Sequence, residues 1–154
     1  MNMKYLVLSA FMLFSVLVSA QTEKTALSWL TNFNEARALA KEKKKPILLY
    51  FTGSDWCAPC KMLKKDFFDS DEFKGMADEM ILVMIDYPRN TELITPEQLA
   101  YNKTVIADYN REGVFPKVLA FSAGGKKLGD IAGYSRLRDP GNHFKFVERY
   151  LRSE

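Results

Sequence analysis

An α/β fold, with a mixed central sheet flanked by helices on both faces, is predicted by three features of the sequence. Two uniformly apolar runs, ILLYF over residues 47–51 and ILVMI over residues 81–85, are too short to span a membrane and too continuous to be half exposed, so they read as buried strands. Segments with helical spacing lie between and after them. The turn Ser122-Ala123-Gly124-Gly125-Lys126 separates two further strand-like runs and marks an antiparallel hairpin. The chain has 154 residues, 47% of them apolar and 27% charged, the composition of a domain with a packed core. Its 22 basic and 19 acidic residues nearly balance, which argues against a polyanion such as nucleic acid as partner.

The elements follow in order. Residues 25–30 form a short first strand. Asn32 with Glu35 three residues later is a capping-box-like start for a helix through Lys44, and the cations of Lys41 to Lys45 suit its C-terminal dipole without implying a function. The run over 45–51, with Pro46 near its start, reads as a strand. It feeds a helix over 61–68, where Leu63 and Phe67 stand four apart among lysines. Residues 70–80 read as another helix and 81–85 as a central strand. Residues 87–95 are a loop, and Thr95-Pro96-Glu97 caps and starts a helix to about Asn110. Strands over 118–121 and 127–131 form the hairpin, and Gly133-Tyr134 ends the sheet. Asp139-Pro140 begins a last helix with Phe144, Val147 and Leu151 on one face, where His143 is a solvated side chain.

The first twenty residues stand apart from that domain. Lys4 precedes an apolar run of 14 residues, 5–18, that closes on Val18-Ser19-Ala20. This fits a secretory leader, whose apolar core runs about 7 to 15 residues, and falls short of the roughly 20 needed to span a bilayer. Cleavage after Ala20 leaves a single domain, residues 21–154, in the periplasm or the medium.

Export changes how the two cysteines are read. Cys57 and Cys60 lie three positions apart in Trp56-Cys57-Ala58-Pro59-Cys60-Lys61. A bridge there closes so small a loop that it removes little entropy from the unfolded chain, so a purely structural disulfide is disfavoured. A metal site is disfavoured too, because His143 is the only histidine and there is no second cysteine pair. The pair sits where a strand feeds a helix. Cys57 falls at the helix N-terminus, where free N–H groups and the dipole stabilise a thiolate, and Pro59 fits the first turn because its missing N–H has no intrahelical partner there. That gives Cys57 the reactivity of an attacking thiol and puts Cys60 within reach to resolve a mixed disulfide.

The motif Trp56-Cys57-Ala58-Pro59-Cys60-Lys61 resembles the active-site signature of the thioredoxin superfamily, and residues 45–73 resemble exported thioredoxin-like proteins related to the C-terminal domain of the thiol:disulfide interchange protein DsbD. The similarity extends over about residues 25–152. It implies a thioredoxin fold and dithiol/disulfide exchange, with Cys57 attacking and Cys60 resolving. It also implies that Pro116 is a cis proline beside the cysteines, and that Trp56 and Phe115 line a substrate groove with the 87–95 loop. Protein disulfides are the implied substrates, no bound cofactor is required, and a membrane protein of the DsbD kind is the implied electron donor. Two acids that help the resolving cysteine lose its proton in such proteins are missing: Tyr50 and Phe51 occupy the first position's region, and Lys64 the second. Asp55, the acid nearest the motif, reads as decoration of an exposed loop. The expected activity is reduction of protein disulfides. The alternatives are an oxidase or isomerase, or a redox-gated peptide-binding module with little turnover.

Overall fold

The computed structural model describes residues 26–151, and the leader expected over residues 1–20 lies outside them. One five-stranded sheet runs through the molecule in the order β1-β3-β2-β4-β5, where β1 is Trp29–Leu30, β2 Ile47–Thr52, β3 Ile81–Asp86, β4 Lys117–Phe121 and β5 Lys127–Ala132. β3 pairs parallel with β1 and β2, whereas β4 pairs antiparallel with β2 and β5, so the sheet is mixed. Every residue of β2 is buried because it is sandwiched between strands at its edges and helices on its faces.

The alternation of β2 divides the core in two. Ile47, Leu49 and Phe51 point to one face, where α1 (Phe33–Lys43) brings Phe33, Ala36 and Ala40 and α4 (Pro96–Tyr109) brings Val105. Leu48 and Tyr50 point to the other. There α2 (Ala58–Leu63), the turn that continues it, α3 (Asp71–Met76) and α5 (Gly141–Leu151) bring Leu63, Phe67, Phe68, Phe73 and Val147. This second face is rich in rings: Tyr50 and Phe68 lie 4.6 Å apart, Phe67 and Phe73 4.7 Å, and Phe67 and Phe144 4.7 Å. Such pairs add to simple area burial.

Local chemistry sets the element ends. The Asn32 side chain accepts the N–H groups of Asn34 and Glu35, and Tyr101 from α4 accepts that of Phe33 at 2.8 Å, tying the start of α1 to its neighbour. Ser70 and Thr95 cap α3 and α4 in the same way.

Several boundaries differ from the sequence reading. The first strand shrinks to two residues. The helix expected over 61–68 becomes α2 followed by a π-helical turn, Lys64–Phe68, in which the Asp69 N–H reaches back five residues to the Lys64 carbonyl. That extra residue brings Phe68, five positions after Leu63, onto the buried face beside Phe67, a placement that a strict four-residue period does not give. The helix expected over 70–80 splits into α3 and a 3₁₀ turn, Ala77–Glu79.

His143 corrects another expectation. It is 5% exposed, lies between the rings of Phe67 and Tyr134, and has no hydrogen-bond partner for either ring nitrogen among the described residues. Burial pushes its pKa down to about 4, so it stays neutral.

Candidate active site

β2 and β3 end side by side, and their C-terminal loops are fastened together. The Tyr87 N–H donates to the Thr52 carbonyl at 2.8 Å, and Asp86 accepts both the N–H and the hydroxyl of Ser54. From α4, the buried side chain of Asn102 donates to the Asp86 carbonyl at 2.7 Å. The loop from Gly53 to Trp56 then turns tightly, with the Cys57 N–H donating to the Gly53 carbonyl at 2.8 Å.

Cys57 is the N-cap of α2. Its sulfur accepts the N–H of Cys60 at 3.3 Å, so a cysteine side chain fills the place that Ser or Asp takes in other helices. The two cysteines are joined in a disulfide and are both buried, Cys57 3% and Cys60 1% exposed. Ala58 and Pro59 occupy the first two helical positions, where a proline removes no helical hydrogen bond. When the bond is reduced, the Cys57 sulfur remains at the positive end of the helix with a donor aimed at it, an arrangement that favours thiolate.

Tyr50 lies under the pair and donates its hydroxyl to the Cys60 carbonyl at 3.3 Å. Burial, opposed by a hydrogen bond with Thr52 and assisted by the charge of Asp86, raises its pKa to about 12. It therefore stays protonated at working pH and is not a base for Cys60. Lys64 is paired with Asp69 at 2.8 Å on the exposed side of the π-helical turn.

Trp56 stands beside the cysteines. Its indole N–H donates to the Tyr87 carbonyl at 2.7 Å, and its ring meets that of Phe115 edge-on at 5.6 Å. Phe115 in turn stacks with Tyr87 at 6.3 Å and an interplanar angle of 12°. Gly53 is required here by close approach, since an added Cβ would fall 2.7 Å from the Trp56 Cζ2 atom.

The Phe115–Pro116 bond is cis. The loop carrying it is held by Asn110, which is fully buried and whose side-chain amide pairs with both backbone groups of Val114, donating at 2.9 Å and accepting at 3.2 Å. The Gly133 N–H closes the other side on the Pro116 carbonyl at 2.7 Å. Phe115 makes no backbone hydrogen bond among the described residues.

The structure sets Cys57, Ala58, Pro59 and Cys60 at the start of α2 and packs Trp56 against Phe115, the residue before the cis Pro116, with Lys61 donating its ammonium to the Asp55 carbonyl at 2.7 Å. Asp55 does more than decorate a loop. Its carboxylate accepts the N–H groups of Asn90 at 2.8 Å and Arg89 at 3.0 Å, and these bonds, led by that of Asn90, hold its pKa below the usual carboxylate range. Neither the hold of Asp55 on the 89–90 backbone nor that of Asn110 on Val114 is visible in the sequence, because the groups that they hold have no local pattern. Among the described residues no group of three or more His, Cys, Asp or Glu is arranged to hold a metal ion.

Comparison with known proteins agrees with this geometry. "Disulfide bond reductase DsbH" from Chlamydia pneumoniae is 36% identical over 103 residues, covering 66% of this chain and 60% of that protein. "Thiol:disulfide interchange protein DsbD" from Vibrio vulnificus (strain YJ016) is 32% identical over 87 residues, 52% of this chain but 14% of that protein. The chain therefore spans about three fifths of the first relative's length and a small part of the second's. Among solved structures, "DsbH Oxidoreductase" superposes with a TM-score of 0.71 at 28% identity, covering 90% of this chain and 94% of that one. A thioredoxin from Thermus thermophilus, 20% identical with a TM-score of 0.57 and covering 81% of this chain and 86% of its own, shares the fold. A family model described as thioredoxin-like matches residues 28–123, from the first strand through both cysteines and the cis proline to the end of β4, and the chain belongs to that family.

Proposed function

We propose that the protein is an exported thiol:disulfide oxidoreductase that reduces disulfides in other proteins through Cys57 and Cys60. The observation that carries this reading is the cysteine pair at the N-terminus of α2, with the Cys60 N–H aimed at the Cys57 sulfur. In the cycle, the Cys57 thiolate attacks one sulfur of a substrate disulfide, forming a mixed disulfide and releasing a substrate thiolate that takes a proton from water. Cys60, once deprotonated, attacks the Cys57 sulfur. This forms the Cys57–Cys60 bond and releases the second substrate thiolate, so two electrons pass from protein to substrate. The open backbone of Phe115 and the rings of Trp56 and Tyr87 offer the substrate segment a place to lie beside the pair.

Reduction as the direction is supported by the DsbH relative, which is named a disulfide bond reductase. Export is supported by the leader-like residues 1–20. Turnover outside the cytoplasm then needs an electron source, for which a membrane protein of the DsbD kind is the proposed donor. The test is reduction of insulin disulfides with dithiothreitol as the terminal reductant. The wild type accelerates it and Cys57→Ser does not; equal rates for the two proteins overturn the reading. A Cys60→Ser variant accumulates mixed disulfides with exported proteins, whose identification names the substrates.

A further inference from the structure

Beside the dithiol, three rings and one cation form a continuous wall. The Arg89 guanidinium carbon stands 4.7 Å above the Trp56 ring, Trp56 meets Phe115 edge-on, and Phe115 stacks on Tyr87. Arg89 is fixed from behind. Its backbone N–H donates to the Asp55 carboxylate, that of Asn90 donates to the same group, and the Trp56 indole holds the adjoining Tyr87 carbonyl.

The Asp55 carboxylate, which accepts the Arg89 backbone N–H, is thus engaged with backbone. The guanidinium itself has no hydrogen-bond or ion-pair partner among the described residues, and Arg89 is exposed. A guanidinium carries five N–H donors whose flat fork matches a carboxylate, and contact with an aromatic face leaves donors over for an acceptor. Both ends of the residue are already held in place, so a ligand that binds it orders little additional chain. Trp56 precedes Cys57 directly and lies under the Arg89 guanidinium, so this cation borders the same wall that a peptide at the attacking sulfur lies against.

We propose that Arg89 is a carboxylate-binding subsite of the groove, and that the protein favours disulfides with an aspartate or glutamate next to the attacked cysteine. This rests on the reading of Cys57 as the attacking thiol. The aromatic wall accepts the apolar part of the segment, and Arg89 selects by charge.

The experiment uses the reduced protein and two peptide disulfides identical except for Glu or Lys beside the cysteine. Second-order exchange rate constants are measured at low ionic strength for the wild type, Arg89→Gln and Arg89→Glu. The wild type favours the Glu peptide by about 1.5- to fivefold, the range of an exposed ion pair. The ratio falls toward one in Arg89→Gln, inverts in Arg89→Glu, and shrinks in the wild type as salt is added. Because each ratio is taken within one protein, a general loss of activity in a variant cancels. Equal ratios in all three proteins overturn the subsite while leaving the exchange activity standing. Failure of the wild type to exchange with either peptide overturns the reading of Cys57 and the subsite with it.

Discussion

Replacing Gly53 by alanine tests how the site holds Trp56. The backbone at Gly53 needs no left-handed conformation, so the effect of the substitution is steric and local. The new Cβ would lie 2.5 Å from the indole nitrogen and 2.7 Å from Cζ2, closer than any ordinary contact, and its three nearest atoms all belong to Trp56. The indole must move by about 1 Å to restore van der Waals separation. Its hydrogen bond to the Tyr87 carbonyl is 2.7 Å long and does not survive such a shift. That bond contributes about 1 kcal/mol, the edge contact with Phe115 about 0.5 to 1.5, and the overlying Arg89 about 0.5 to 1. The expected loss is therefore about 2 to 3.5 kcal/mol of stability. Urea denaturation of the oxidised protein measures it, and the Trp56 indole N–H resonance reports the broken bond. Wild-type stability within about 0.5 kcal/mol, together with an unshifted resonance, refutes the steric account of the glycine.

Three further outcomes follow from buried groups and their partners. His143 is held neutral with a folded pKa of about 4 against 6.5 unfolded, so its contribution is complete above pH 6.5 and is lost as pH falls toward 4. Stability in that window drops by about 2 to 3 kcal/mol in the wild type, and His143→Phe flattens the drop; equal pH profiles by thermal melting contradict the buried neutral imidazole. Asn110→Ala leaves the Val114 backbone pair to water and costs about 1 to 2 kcal/mol, measured by denaturant titration. The same variant loosens the loop that carries Phe115, so its rate on insulin falls by a larger factor than its rate on a small uncharged disulfide.

Much of this fold was legible because period and burial coincide. The runs at 47–51 and 81–85 are apolar throughout, which only a strand covered on both faces requires, and the caps at Asn32, Ser70 and Thr95 lie where short polar side chains precede apolar spacing. Legibility ended where distant groups decide. The π-helical turn after Leu63 exists because both Phe67 and Phe68 find partners among the rings of β1, β2 and α5, which no local pattern announces. His143 is buried for the same reason, since Phe67 and Tyr134 converge on it from separate segments. At the site, the cysteine pair and its helix start were plain in the motif. Proline spacing alone did not mark the Phe115–Pro116 bond, since such bonds are cis in only about 5 to 6% of cases; the family resemblance did. Arg89 and Asn110 were not singled out, and Asp55 was read only as loop decoration, because their partners are backbone groups and rings whose positions only the folded chain fixes.

The central claim is that the Cys57–Cys60 couple works as a reductant, and its reduction potential tests this most directly. Equilibrating the purified protein against dithiothreitol or glutathione buffers and counting free thiols gives the value. A two-electron transition near that of reducing thioredoxins, about −270 mV, is the predicted result. A transition near about −120 mV would make the couple a strong oxidant and contradict the account.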